Sequence, residues 1–211
     1  MKSIVIVDYG VGNLQSLKKA FAHFGVEAKI SEDANEIQKA DALALPGVGS
    51  FEAGMRGLMA RGLTSAVRTF TETGKPMLGI CLGAQLLLSR GHEFGVHEGL
   101  DIIPGEVVRL PKLAGNEKIP QVGWNTVLRP SGVAWDGTIF DSLQKEPEVY
   151  FVHSYILKPE KSEHILGTTV YGGHTFCSAI RKEQVYGVQF HPEKSGKAGL
   201  ELIRNFVKLV A

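Results

Sequence analysis

Only two cysteines, Cys81 and Cys177, occur among the 211 residues. Two thiols cannot build a disulfide framework in a chain of this size. A reducing, cytoplasmic setting is therefore expected, in which a thiol stays free for chemistry. An excess of one charge is also missing: 23 Lys and Arg stand against 22 Asp and Glu, a formal net charge of +1. With no basic run either, nothing electrostatic points to nucleic acid or an anionic membrane as a partner. Long apolar runs are absent. Ile4–Val7 is too short for a signal-peptide core and Asp8 follows it directly, and no segment approaches the ~20 apolar residues of a membrane span. No His, Cys and Asp cluster has zinc-ligand spacing, so no metal is expected, nor any other cofactor. Repeats and low-complexity tracts are lacking.

What is present fits one α/β domain over residues 1–211, since single domains commonly run from ~100 to ~250 residues. The first half alternates strand and helix signals. Ser3–Asp8 is a short β-branched run, and Leu14, Leu17, Lys18, Phe21 and Phe24 follow at helical spacing until Gly25. Val26–Ser31 and Ala42–Pro46 read as strands. A helical stretch from Phe51 to about Thr73 contains Gly57 and Gly62, which allow a division into two. Lys75–Ile80 reads as a fourth strand, feeding a helix near Leu82. Such alternation means parallel strands joined by crossover helices. The second half is strand-rich, at Gly105–Leu110, Pro120–Arg129, Glu148–Ile156, His164–Tyr171, Thr175–Arg181 and Gln184–Phe190. Turns such as Tyr171-Gly172-Gly173-His174 suggest antiparallel hairpins. A last helix covers about Gly196–Val210. The expectation is a central, mostly parallel sheet with helices on both faces and an antiparallel extension.

Met77-Leu78-Gly79-Ile80-Cys81-Leu82-Gly83-Ala84-Gln85 is the strongest local signal. It sets a thiol between strand and helix, with glycines two residues to either side, as in a nucleophile elbow with Cys in place of Ser. The turn forces strained backbone on the nucleophile while glycines let the neighbouring chain pass. Free N–H groups of the following helix favour a thiolate and can hold an oxyanion. The bland alternative is a structural cysteine at a strand end, and that reading is the one assigned to Cys177.

Val185-Tyr186-Gly187-Val188-Gln189-Phe190-His191-Pro192-Glu193 supplies a base. In an extended segment, side chains two apart share a face, and Pro192 biases His191 away from helix. Glu193 can then accept from Nδ1 of His191 and leave Nε2 free to take the Cys81 proton. Cys81, His191 and Glu193 together make an acyl-transfer triad. None of the other six histidines has an acid two positions later.

These motifs together resemble class I, triad-type glutamine amidotransferases, marked by G-x-C-x-G and a late V-Q-F-H-P-E. The resemblance implies hydrolysis of L-glutamine through a Cys81 thioester. Asp8–Leu14, Pro46–Phe51, Gly123–Asn125, Tyr150–Tyr155 and His191–Ser195 are similar to the glutaminase subunits of imidazole glycerol phosphate synthases, and the likeness runs from Ile4 to the last helix. In that family the subunit forms a heterodimer with a (β/α)8 cyclase, and ammonia passes between them for histidine biosynthesis. By resemblance, Val48, Gly49 and Leu82 form the oxyanion hole. Gly49, Gln85, Glu93, Ser154 and Tyr155 bind glutamine, while Gln121, Trp124, Asn125 and Lys194 face the cyclase. Two departures stand out: Gln121-Val122 replaces the His-Met of many relatives, and Ala84 the Met common after C-L-G. A paralogous glutaminase feeding another synthase, a stand-alone γ-glutamyl cysteine hydrolase and a non-catalytic binding module remain open alternatives.

Overall fold

In a computed structural model, which describes residues 2–112, 117–143 and 146–210, the chain builds outward from the strand β1 (Ile4–Val7). Every residue of β1 is buried. Ile4 and Ile6 join one apolar cluster while Val5 and Val7 join a second. Side chains of a strand alternate between faces, so a continuous apolar run demands cover on both sides. Helices supply it. Leu17 and Phe21 of α1 (Leu14–Ala22) and Leu202, Ile203 and Phe206 of α6 (Gly196–Leu209) cover the first face. Ile37 of α2 (Ala34–Lys39), Phe51, Met55 and Leu58 of α3 (Phe51–Ala60), and Val67 and Phe70 of α4 (Leu63–Glu72) cover the second. Each fully buried Leu, Ile or Phe contributes about 1.5–3 kcal/mol over its exposed state, so both layers are needed to hold the sheet.

Four more strands complete the parallel part: β2 (Lys29–Ser31), β3 (Ala42–Gly47), β4 (Met77–Cys81) and, late in the chain, β13 (Val185–Val188). They run in the order β2-β1-β3-β4-β13, every neighbouring pair parallel. This register sets Cys81 beside Gly47 and Ile80 beside Val188. The strand ends carrying Pro46–Gly49, Cys81 and the Gln189–Glu193 segment therefore emerge together. Ligands bind at such carboxyl ends in open α/β sheets.

The extension continues through β12 (His174–Lys182), β10 (Tyr155–Pro159), β7 (Ile103–Arg109), β5 (Leu88–Gly91) and β6 (His97–Glu98), with β11 (Ile165–Tyr171) added on β12. Most of these pairs are antiparallel, β5 with β7 being parallel. A separate hairpin-like pair, β8 (Gln121–Thr126) and β9 (Glu148–His153), stands apart from the main sheet. This is the α/β architecture expected, with several local differences. Glu148–Ile156 is two strands that break at Ser154, because β9 pairs with β8 while β10 joins the main sheet. The long helical stretch divides at Gly62, which takes the left-handed conformation (φ +66°) that glycine tolerates. Helix α2 and strands β5 and β6 have no counterpart in the sequence reading.

Candidate active site

Cys81 closes β4 and opens the short helix α5 (Leu82–Leu86) with φ +53° and ψ −111°, a conformation that costs a non-glycine residue strain. The flanking glycines are required by space. A Cβ on Gly83 would lie 1.7 Å from the Leu45 carbonyl oxygen, and one on Gly79 would lie 2.9 Å from the Ala84 backbone. Glycine at both positions lets α5 press against β3 and β4, and the turn aims the sulfur outward.

His191 and Glu193 reach the same place from the end of β13. Nδ1 of His191 lies 2.9 Å from Glu193 Oε1, and both side chains are almost wholly enclosed, at 2% and 4% exposure. The reason differs from the extended geometry read from sequence. His191 is extended, but Pro192–Lys194 is a turn of 3-10 helix, which swings the carboxylate back to the ring. Ser195 locks the turn: its Oγ donates to the His191 carbonyl at 2.6 Å and accepts from Tyr150 N–H at 2.9 Å. Nε2 of His191 is buried and has no hydrogen-bond partner among the described residues. Burial alone would lower the pKa of this imidazole. The adjacent Cys81 sulfur and Glu193 carboxylate outweigh that cost and raise it to about 9. His191 is thus disposed to take and hold a proton.

Cys81, Leu82 and His191 open on a cavity of about 270 Å³ that is also lined by Val48, Gly49, Gln85, Glu93, Val152, His153, Ser154 and Tyr155. Every residue expected to build the oxyanion hole or bind substrate therefore reaches one cavity. Val48 and Gly49 form its exposed rim, and Gly49 has φ +108°, a backbone state suited to glycine. Glu93 accepts from Phe51 N–H at 2.8 Å and so ties the cavity wall to the start of α3. Gln85 donates to the Tyr155 carbonyl at 3.3 Å and to Gln189 Oε1 at 3.1 Å. Both amide hydrogens are thereby used, which leaves the Gln85 carbonyl oxygen for a ligand.

Trp124 and Lys194 lie outside, together with Tyr150. The Trp124 and Tyr150 rings meet edge to face at 6.3 Å, and Lys194 Nζ stands 6.0 Å from the Tyr150 ring centre. Trp124 is 58% exposed, with exposed Val122 on the same strand. Asn125 is half-buried, its Nδ2 donating to the Val170 carbonyl at 2.9 Å. Gln121 departs from the surface position expected for it. Strand alternation turns it inward, 2% exposed, opposite His153. Sequence reasoning missed three residues here. Gln189 is fully buried with Nε2 3.8 Å from Cys81 Sγ, and His153 sits in the cavity wall. The buried Tyr9 hydroxyl has no hydrogen-bond partner among the described residues and fills the space where a side chain on Gly47 would go. A glutamine inside the apolar run Val188-Gln189-Phe190 was the one readable signal among them.

Among the described residues no cluster of three or more His, Cys, Asp or Glu could hold a metal, and no helix is long and apolar enough to cross a membrane. The family described as glutamine amidotransferase class-I matches residues 5–210. Over its length the chain is similar to imidazole glycerol phosphate synthase subunit HisH 1 of Legionella pneumophila strain Paris, at 46% identity across 99% of this chain and 100% of that protein. The HisH subunit of Chlorobaculum tepidum is 43% identical, covering 97% and 99%. Among solved structures, PurLQS from Thermotoga maritima shares the fold with a TM-score of 0.74 at 16% identity, covering 100% of this chain and 99% of that one. A crystal structure of a glutamine amidotransferase scores 0.71 at 22% identity, with 98% of each chain covered. With the elbow, the histidine–carboxylate pair and the shared cavity in place, these matches establish that the chain belongs to the class I glutamine amidotransferases.

Proposed function

We propose that this chain is the glutaminase subunit of imidazole glycerol phosphate synthase, with residues 1–211 acting as one amidotransferase domain. It hydrolyses L-glutamine and passes the ammonia to a (β/α)8 cyclase subunit in histidine biosynthesis. The observation that carries the chemistry is the free Nε2 of His191 beside Cys81 at the mouth of a single small cavity, with Nδ1 held by Glu193. At about 270 Å³ the cavity lies just below the ~300–1,000 Å³ range of drug-sized sites, which suits an amino acid. The relatives' names and their full-length similarity support the pathway.

The steps follow from the groups in place. His191 Nε2 removes the Cys81 thiol proton, and the sulfur attacks the side-chain amide carbon of glutamine. N–H groups at Leu82 and in the Val48–Gly49 rim stabilise the oxyanion of the tetrahedral intermediate. Collapse of that intermediate breaks the C–N bond, and His191 returns the proton to the departing ammonia. A γ-glutamyl thioester remains. His191 then takes a proton from water, which attacks the thioester and releases glutamate and free Cys81.

Ammonia is mostly protonated in neutral water and then no longer nucleophilic, so its use requires a sheltered route to a partner. The exposed Trp124 and Val122, with Tyr150 against Trp124 and Lys194 over the Tyr150 ring, offer an aromatic and cationic face for that docking. The test mixes the chain with a (β/α)8 cyclase and its nucleotide acceptor. Glutamine hydrolysis is expected to rise on mixing. Cys81→Ala is expected to end glutamine-driven synthesis while leaving ammonia-driven synthesis intact. Full hydrolysis by the chain alone, unchanged by any cyclase, would contradict the reading and favour a stand-alone hydrolase.

A further inference from the structure

Four uncharged polar side chains, Gln85, Gln121, His153 and Gln189, are buried around the cavity, where a polar atom without a partner is costly. Gln121 and His153 face each other across β8 and β9 as register partners. The His153 ring packs against Phe151 and Phe176, at centroid separations of 5.6 and 5.2 Å. Its Nδ1 lies 2.9 Å from the Tyr155 carbonyl oxygen and its Nε2 3.1 Å from Gln121 Oε1.

Those distances place an oxygen against each ring nitrogen. A backbone carbonyl can only accept, so Nδ1 must carry a proton. Were Gln121 also to accept, the ring would have to be an imidazolium. Burial opposes this and holds His153 at about 4, with the Tyr155 bond working against burial and the charge of neighbouring His191 working with it. The ring is therefore neutral, with Nε2 as acceptor. Gln121 must turn its amide so that the NH2 group faces Nε2, an exchange of two atoms of nearly equal shape. The Tyr155 carbonyl at the far end is shared: it also accepts from Gln85, which continues to Gln189 and so to within 3.8 Å of Cys81 Sγ.

We propose that Gln121 is a positioning residue for the substrate cavity: its amide N–H holds neutral His153, whose Nδ1–H fixes the Tyr155 carbonyl and, on it, Gln85. The proposal rests on the glutaminase reading for what fills the cavity. It gives a buried role to a side chain flanked by exposed Val122, so that the outer hairpin and the cavity wall share one hydrogen-bonded lock.

The test has two arms on the full-length chain. Nitrogen-15 NMR of histidine is expected to show His153 neutral, protonated on Nδ1, down to about pH 5, well above the value of about 4 to which burial holds it. In the isosteric Gln121→Glu the partner can only accept, so His153 is expected to become an imidazolium at neutral pH. The second arm follows labelling of Cys81 by the glutamine-mimicking diazoketone 6-diazo-5-oxonorleucine. Gln121→Leu is expected to raise the half-saturating concentration about ten-fold, the scale of one lost buried hydrogen bond, whereas Gln121→Glu keeps both ring nitrogens bonded and should stay within about two-fold. Iodoacetamide, which does not need the cavity wall, should alkylate both variants at the rate of the unchanged protein. His153 protonated on Nε2 in the unchanged protein, or an unaltered concentration dependence in Gln121→Leu, would overturn the proposal. An unchanged protein that the diazoketone never labels would overturn the glutaminase reading instead, and the NMR arm would then decide the proposal by itself.

Discussion

Cys81 and Cys177 are equally exposed, at 7% each, yet the regions around them differ in every respect that matters for a thiol. Cys81 sits at a strained strand end facing a cavity and His191. Cys177 lies inside β12, with Sγ 3.3 Å from the Ala179 carbonyl, and burial pushes its pKa up to about 12. Accessibility alone would not separate them. What separates them is where the backbone aims the sulfur and which groups meet it there.

The largest effect that could break this contrast is on turnover. Cys81→Ala should remove glutamine hydrolysis altogether, whereas Cys177→Ala should leave it within about two-fold, since only one thiol meets a base. Ammonia release from each variant decides between them, and equal losses would erase the distinction. Next comes the backbone that makes the elbow. Gly83→Ala drives a methyl into the Leu45 carbonyl and should cost about 3 kcal/mol or more in urea unfolding, with activity falling as the turn relaxes. A stable, active Gly83→Ala would show that the close approach of α5 to β3 is not required.

A third effect sharpens the contrast by pH. His153 has a folded pKa of about 4 against an ordinary 6.5, so between those values the unfolded chain binds a proton that the folded chain refuses. Its contribution is fully present above about 6.5 and is lost as pH falls toward 4, by up to about 3 kcal/mol. Unfolding at pH 7 and pH 4.5 should show this loss, and His153→Leu should flatten it. The smallest effect concerns Tyr9. Because its buried hydroxyl has no partner among the described residues, Tyr9→Phe should be neutral or stabilising by up to about 1 kcal/mol in thermal unfolding. A clear loss would mean that the hydroxyl is hydrogen-bonded in solution.

The parallel half was legible in the sequence because continuous apolar strands and 3.6-spaced helices repeat there with little interference. The helix α2 was hidden, since Ile37 is its only buried residue, although Asp33 caps it by accepting from Asn35 and Glu36 N–H. Strands β5 and β6 were hidden because Leu88-Ser89-Arg90-Gly91 and His97-Glu98 have no alternating apolar pattern. The break at Ser154 was illegible for a different reason. Periodicity reports which face a residue takes, not which sheet its strand joins, and here the change of sheet creates the cavity wall. The triad could be read because its chemistry needs particular residue types in short motifs. His153 could not, since its role depends on partners distant in the chain, and Gln189 left only the sign of a polar residue inside an apolar run. Gln121 was read as a surface residue by likeness, and strand parity reversed that.

The central claim is that the Cys81 sulfur carries the glutamyl group. Acid quenching during glutamine turnover, followed by peptide mass spectrometry, tests it directly. The account predicts a γ-glutamyl thioester on the Cys81 peptide and none on the Cys177 peptide. Steady glutamine hydrolysis with no adduct at Cys81, persisting in Cys81→Ala, would contradict it.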